Sequence, residues 1–105
     1  MIQHIVLIKF QTSLGEENIS RLWEELHAIK DEIPGILSIN SGKSESPEKI
    51  ERGYLHGFVV AFRDWDALDR YQNHPLHKAL GAKLVANAQG GLDGILVFDL
   101  PSVSS

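Results

Sequence analysis

The stretch His4-Ile5-Val6-Leu7-Ile8-Lys9-Phe10, read beside His56-Gly57-Phe58-Val59-Val60-Ala61-Phe62, decides the fold. Both runs are rich in branched and aromatic residues, and the polar Gln11-Thr12-Ser13 closes the first, as expected of β-strands. Successive residues of a strand point to opposite faces. His4, Val6, Ile8 and Phe10 therefore share one face with His56, Phe58, Val60 and Phe62, while Ile5, Leu7, Val59 and Ala61 take the other. Both faces are then apolar. An antiparallel sheet backed by helices ordinarily turns a polar second face to water, so this one needs a further cover. The simplest cover is a second copy of the chain. The pattern predicts a homodimer whose sheets pack face to face, enclosing a space lined by the His4 and His56 face. A charge introduced at Val60 or Phe62 is expected to dissociate or unfold it.

Outward from these strands, Ile19, Leu22, Trp23, Leu26, Ile29 and Ile33 fall on one stripe at the helical period, which predicts an amphipathic helix between Glu16 and Ile33. Pro34 and Gly35 end it, and a second strand follows over Ile36 to Lys43. Ser44 to Gly53 reads as an exposed loop, and Leu55 to Phe62 as the third strand. Asp64 suits the N-cap of a short helix carrying Trp65, Leu68 and Tyr71 on one side; Asn73-His74-Pro75 interrupts it. Pro75 suits the first position of a further helix reaching Ala88, where its missing N–H would have no partner anyway. Gly90-Gly91 closes that helix, and Leu92 to Asp99 makes the last strand. Strand, helix, strand, strand, helices, strand is the split order of an α+β, ferredoxin-like domain with a four-stranded antiparallel sheet and helices on one face. The domain spans residues 2–100, with residues 101–105 as a disordered tail.

A chain of 105 residues and 11.7 kDa has room for one domain, and 43% hydrophobic residues are enough for a packed core. With no cysteine, a disulfide framework, a thiolate nucleophile and cysteine-based zinc sites are all excluded. Ten basic residues are scattered singly against fourteen acidic ones, so no basic stripe marks a nucleic-acid partner. The apolar run Ile5 to Ile8 is far too short for a membrane span of about 20 residues or a signal segment, and a cytoplasmic location is expected.

Chemistry must come from the histidines and a tyrosine. His77 is expected near the third residue of the helix opened by Pro75, where exposed amides and the helix dipole disfavour positive charge, so its imidazole is neutral and able to act as a general base. Tyr71, across the interruption, can donate a hydrogen bond to a carbonyl becoming an enolate. The alternative for this pair is that both residues satisfy the helix junction. His4 and His56 on inward strand positions are expected to face each other across the sheet, either as a hydrogen-bonded core pair or lining the floor of a cavity shared with His77 and Tyr71. His74 reads as a junction residue. His74 and His77 lie three apart, which is a weak metal-ligand spacing and supports no metal site. Trp23, Trp65, Phe58 and Phe62 read as core or dimer-interface residues.

Four groups of residues, His4-Ile5-Val6-Leu7 with Lys9-Phe10, Ile33-Pro34-Gly35-Ile36, Gly53-Tyr54-Leu55-His56-Gly57-Phe58, and Tyr71 followed by His74-Pro75-Leu76-His77, together resemble the stress-responsive alpha/beta-barrel (Dabb) family of the dimeric α+β barrel superfamily. The resemblance covers nearly the whole chain. It is also a resemblance to a plant polyketide cyclase of that family, which closes a linear poly-β-keto thioester by aldol condensation without a cofactor. That likeness implies His77 and Tyr71 as catalytic positions, His4 and His56 as substrate-binding ones, and no cofactor or metal. The activity so implied is a cyclase, lyase or isomerase acting on a small carbonyl or polyketide-like substrate. A stress-associated dimer binding a small apolar ligand is the non-enzymatic alternative, and a cofactor-free monooxygenase is a third.

Overall fold

The computed structural model describes residues 1–103. Its elements run β1 (Ile2–Ile8), α1 (Glu16–Ala28), β2 (Ile36–Lys43), β3 (His56–Phe62), α2 (Trp65–Asn73), α3 (Pro75–Asn87) and β4 (Ile95–Pro101), with single 3-10 turns at Lys30–Glu32 and Gly91–Gly94. All neighbouring strands are antiparallel, in the order β2-β3-β1-β4. This is the ferredoxin-like α+β fold expected from the order of elements.

Several boundaries move for physical reasons. β1 begins at Ile2 and stops at Ile8; Phe10 makes only a lone bridge to Ala88, because the Lys9 carbonyl and N–H are taken by Gln89 and Gly94. The first helix tightens into a 3-10 turn before Pro34, where proline excludes helical geometry at Ile33. Gly35 then sits at φ 96°, and a Cβ there would lie 2.5 Å from the Cβ of Ala67, so only glycine lets the exit of this turn pass under α2. β4 starts at Ile95 and takes in Pro101, opposite Ile2; β4 is an edge strand, where proline is tolerated. The expected tail of residues 101–105 is ordered at its start, where Pro101 pairs in β4 and Ser102 donates to the Met1 carbonyl; residues 104–105 lie outside the described residues.

The helices cover the face of Ile2, His4, Val6 and Ile8, with Ile19, Leu22 and Leu26 of α1, Ala67, Leu68 and Tyr71 of α2, and Leu80 and Leu84 of α3 buried against it. This corrects the expected position of the partner. The His4 and His56 face is closed by the chain's own helices, so any space it lines lies within one protomer. The face left open carries Ile5, Leu7 and Val59, half-buried, with Leu96, Phe98 and Leu100 of β4 exposed beside them. Val60 and Phe62 are fully buried inside the protomer; a charge at either would unfold the chain rather than merely separate a pair of copies. Trp65, read as a core or dimer-interface residue, is 53% exposed at the start of α2 and so is not in the core of the protomer. No helix among the described residues is long and apolar enough to cross a membrane.

Candidate active site

Tyr71 is fixed by α2, whose first turn is capped by the Asp64 carboxylate accepting from the Ala67 N–H at 2.9 Å. The buried stripe of the helix turns the phenol ring inward against Phe62, His4 and His77, at ring-centroid distances of 5.1, 5.7 and 4.3 Å. The hydroxyl has no hydrogen-bond partner among the described residues. No fully enclosed side-chain oxygen is left without a partner among the described residues, and Tyr71 lines the cavity beside it. Burial pushes its pKa well above the ordinary phenol value. Tyr71 therefore remains a neutral hydrogen-bond donor.

His77 is the third residue of α3, and its Nδ1 lies 3.2 Å from the Gln72 carbonyl oxygen. A carbonyl can only accept, so Nδ1 carries the proton and Nε2 keeps its lone pair. Burial is the main influence holding this imidazole below its ordinary pKa; nearby His4 and Lys78 act in the same direction, and the Gln72 carbonyl opposes them. The position at a helix N-terminus, from which the neutral state was expected, favours the same form.

His4 is 4% exposed, and its Nδ1 donates to the Asp99 carboxylate, which stands directly opposite it on β4. His4, Tyr71, Gln72 and His77 all line one cavity of about 220 Å³ between the sheet and the helices. The rest of its wall is apolar, Val6, Phe58 and Leu80 deep in the layer and Leu92 and Val97 on the exposed side. Asp99 and Gln72 are not singled out by any sequence motif. Asp99 had a signal nonetheless: it is the one charged residue of β4, at the position whose parity points it toward the His4 face.

His56 is not in this cavity, which corrects the expectation that it shares a floor with His4. It pairs with Ile8, not with His4, and stands four residues along β1 from it, roughly 13 Å at the usual strand rise. Its Nε2 lies 3.1 Å from a Glu16 carboxylate oxygen and its ring packs on Phe10 at 5.4 Å, beside a separate cavity of about 230 Å³. His74 spends its Nδ1 on the Leu76 N–H at 3.1 Å.

An antiparallel α+β protomer with an open apolar sheet face and a polar-ended cavity under its helices defines a class, and comparison with known proteins names it. The chain belongs to the stress responsive A/B barrel domain family, matched over residues 2–102. It is 25% identical over 100 residues to a stress-response A/B barrel domain-containing protein of Arabidopsis thaliana, covering 94% of this chain and 84% of that one. It is 24% identical over 80 residues to olivetolic acid cyclase of Cannabis sativa, covering 76% and 79%. Among solved structures it resembles a dimeric ferredoxin-like protein of unknown function from Jannaschia sp. CCS1, with a TM-score of 0.90, 33% identity, and 96% and 98% of the two chains covered.

Proposed function

We propose that the cavity catalyses cofactor-independent carbon–carbon chemistry next to a carbonyl, of the cyclase or lyase type, on a small carbonyl or polyketide-like substrate. The observation that carries this is the contact of His77 and Tyr71 at 4.3 Å, with a basic Nε2 on one ring and an unpartnered hydroxyl on the other. In the first step Nε2 removes a proton from the carbon α to a carbonyl; the C–H electron pair forms the enolate C=C bond as the carbonyl π pair moves onto oxygen. Tyr71 donates to that developing oxyanion, and the Asp99-anchored His4 lies against Tyr71 with its Nε2 unspent. The enolate carbon then attacks a second carbonyl of the same chain, and the proton held by His77 passes to the new alkoxide. The cyclase among the relatives supports this reading.

Deuterium uptake at the α-carbon of a short acyl thioester in D2O, followed by NMR, tests the first step alone. His77→Ala should slow uptake by about a hundredfold or more, and Tyr71→Phe by a smaller factor. Equal uptake in both variants would leave the apolar walls as the informative feature and favour a dimer that binds a small apolar ligand without turning it over.

We also propose that the protein is a homodimer joined through the open sheet face, as the dimeric relative from Jannaschia supports. Leu96, Phe98 and Leu100 are 39%, 55% and 43% exposed on that face, a continuous apolar surface that water does not ordinarily meet in a monomer.

A further inference from the structure

The hydrogen bond that fixes the His77 tautomer depends on how the chain passes from α2 to α3. In an uninterrupted helix the Leu76 N–H would bond the Gln72 carbonyl, four residues back. Pro75 breaks the helix by holding His74 extended, at ψ 138°, and the His74 N–H turns back to the Tyr71 carbonyl at 3.1 Å. The freed Leu76 N–H is taken by the side chain of His74, whose Nδ1 accepts it at 3.1 Å. Gln72 thereby keeps an unclaimed carbonyl, and it is this carbonyl that accepts from His77 Nδ1 at 3.2 Å.

We infer that His74 is a positioning residue: by capping Leu76 it holds the first turn of α3 in the arrangement that leaves Gln72 to His77, and so keeps Nε2 of His77 as the bare nitrogen of the ring. Pro75 frees the Leu76 N–H, and the His74 ring is what occupies it. The Lys78 N–H bonds the His74 carbonyl and so starts the helical ladder whatever side chain stands at 74. His74 itself does not line the cavity, so it has no contact with a substrate to explain its effect. The inference deepens the assignment of His77 as base and takes its functional meaning from that assignment, but its geometry does not depend on there being a reaction.

The test is accordingly made without substrate. Long-range nitrogen–proton NMR of the imidazole rings distinguishes the two neutral tautomers of His77 directly. The native protein should show a single tautomer with the proton on Nδ1. His74→Ala should lose that purity, with the Nε2–H form that free imidazole favours appearing beside it, while His74→Asn, which can still accept from Leu76, should restore the single form. Persistence of the pure Nδ1–H form in a folded His74→Ala protein would overturn the inference. So would a mixture in a folded His74→Asn protein, because capping would then not be what holds the ring. If His74→Ala fails to fold, the His74→Asn result decides alone: the native tautomer supports the inference and a mixture refutes it. A positive tautomer result with no deuterium uptake in the native protein would retire the catalytic reading and leave the positioning intact.

Discussion

At residue 77 the imidazole is neutral more readily in the folded chain than in the unfolded one, because burial lowers its pKa from the ordinary 6.5. Between the lowered value and 6.5 the unfolded chain binds more protons, so stability rises with pH through that window and is lost as the pH falls through it. Urea unfolding at pH 7 and pH 5 should therefore show the native protein losing more stability on acidification than His77→Gln does. Equal losses would mean the ring is as well solvated as in the unfolded chain. The same shift places the acid limb of α-carbon exchange below pH 6.5. Tyr71 contributes no alkaline limb in the ordinary phenol range of about 10, since burial raises its pKa. An acid limb above 6.5 would assign the base to another group. Because the Tyr71 hydroxyl makes no hydrogen bond among the described residues, Tyr71→Phe should leave unfolding stability within about 0.5 kcal/mol of native, which separates a chemical role from a structural one.

The elements meet at tight joints, and one of them is Pro34-Gly35 beneath α2. Gly35→Ala places a methyl carbon 2.5 Å from Ala67 Cβ at a φ of 96°, and should cost about 1–3 kcal/mol of stability in urea unfolding without touching the cavity. A neutral result would show that α2 can slide. Joints of this kind were partly legible in the sequence: Pro34-Gly35 and His74-Pro75 are punctuation whose backbone chemistry is local. The alternation in His4–Phe10 and His56–Phe62 likewise fixed two strands and their faces. It could not tell which face the helices would take, because Ile5, Leu7 and Val59 are as apolar as Val6, Phe58 and Val60. Parity put His4 and His56 on one face and was silent on distance along the strand, which depends on the register Ile8↔His56 set by residues far apart in sequence. The cap by His74 was hidden for another reason. Whether a junction histidine points its ring nitrogen at an amide is a matter of side-chain torsion, which no pattern of residue types records.

For the molecule as a whole, the open sheet face separates assembly from folding. Phe98 is 55% exposed in the protomer, so Phe98→Asp should give a folded monomer sedimenting near 11.7 kDa, while the native protein should sediment near twice that at low micromolar concentration. Val60→Asp, whose site is wholly buried, should instead lose the fold, since an unpaired buried charge costs several kcal/mol. A native protein that stays monomeric at those concentrations would remove the homodimer. β4 carries one more burden. It is an edge strand running Ile95-Leu96-Val97-Phe98 before any charge appears, so a newly made protomer offers an unpaired row of amides and carbonyls flanked by apolar side chains. Such an edge can recruit further strands edge to edge into an insoluble stack. Asp99 is the lone gatekeeper on that edge, and it is also the carboxylate that anchors His4. Exchanging it for an apolar residue would thus lower the soluble yield on refolding as well as loosening the ring, and a loss of activity in that variant has to be read on the soluble fraction alone.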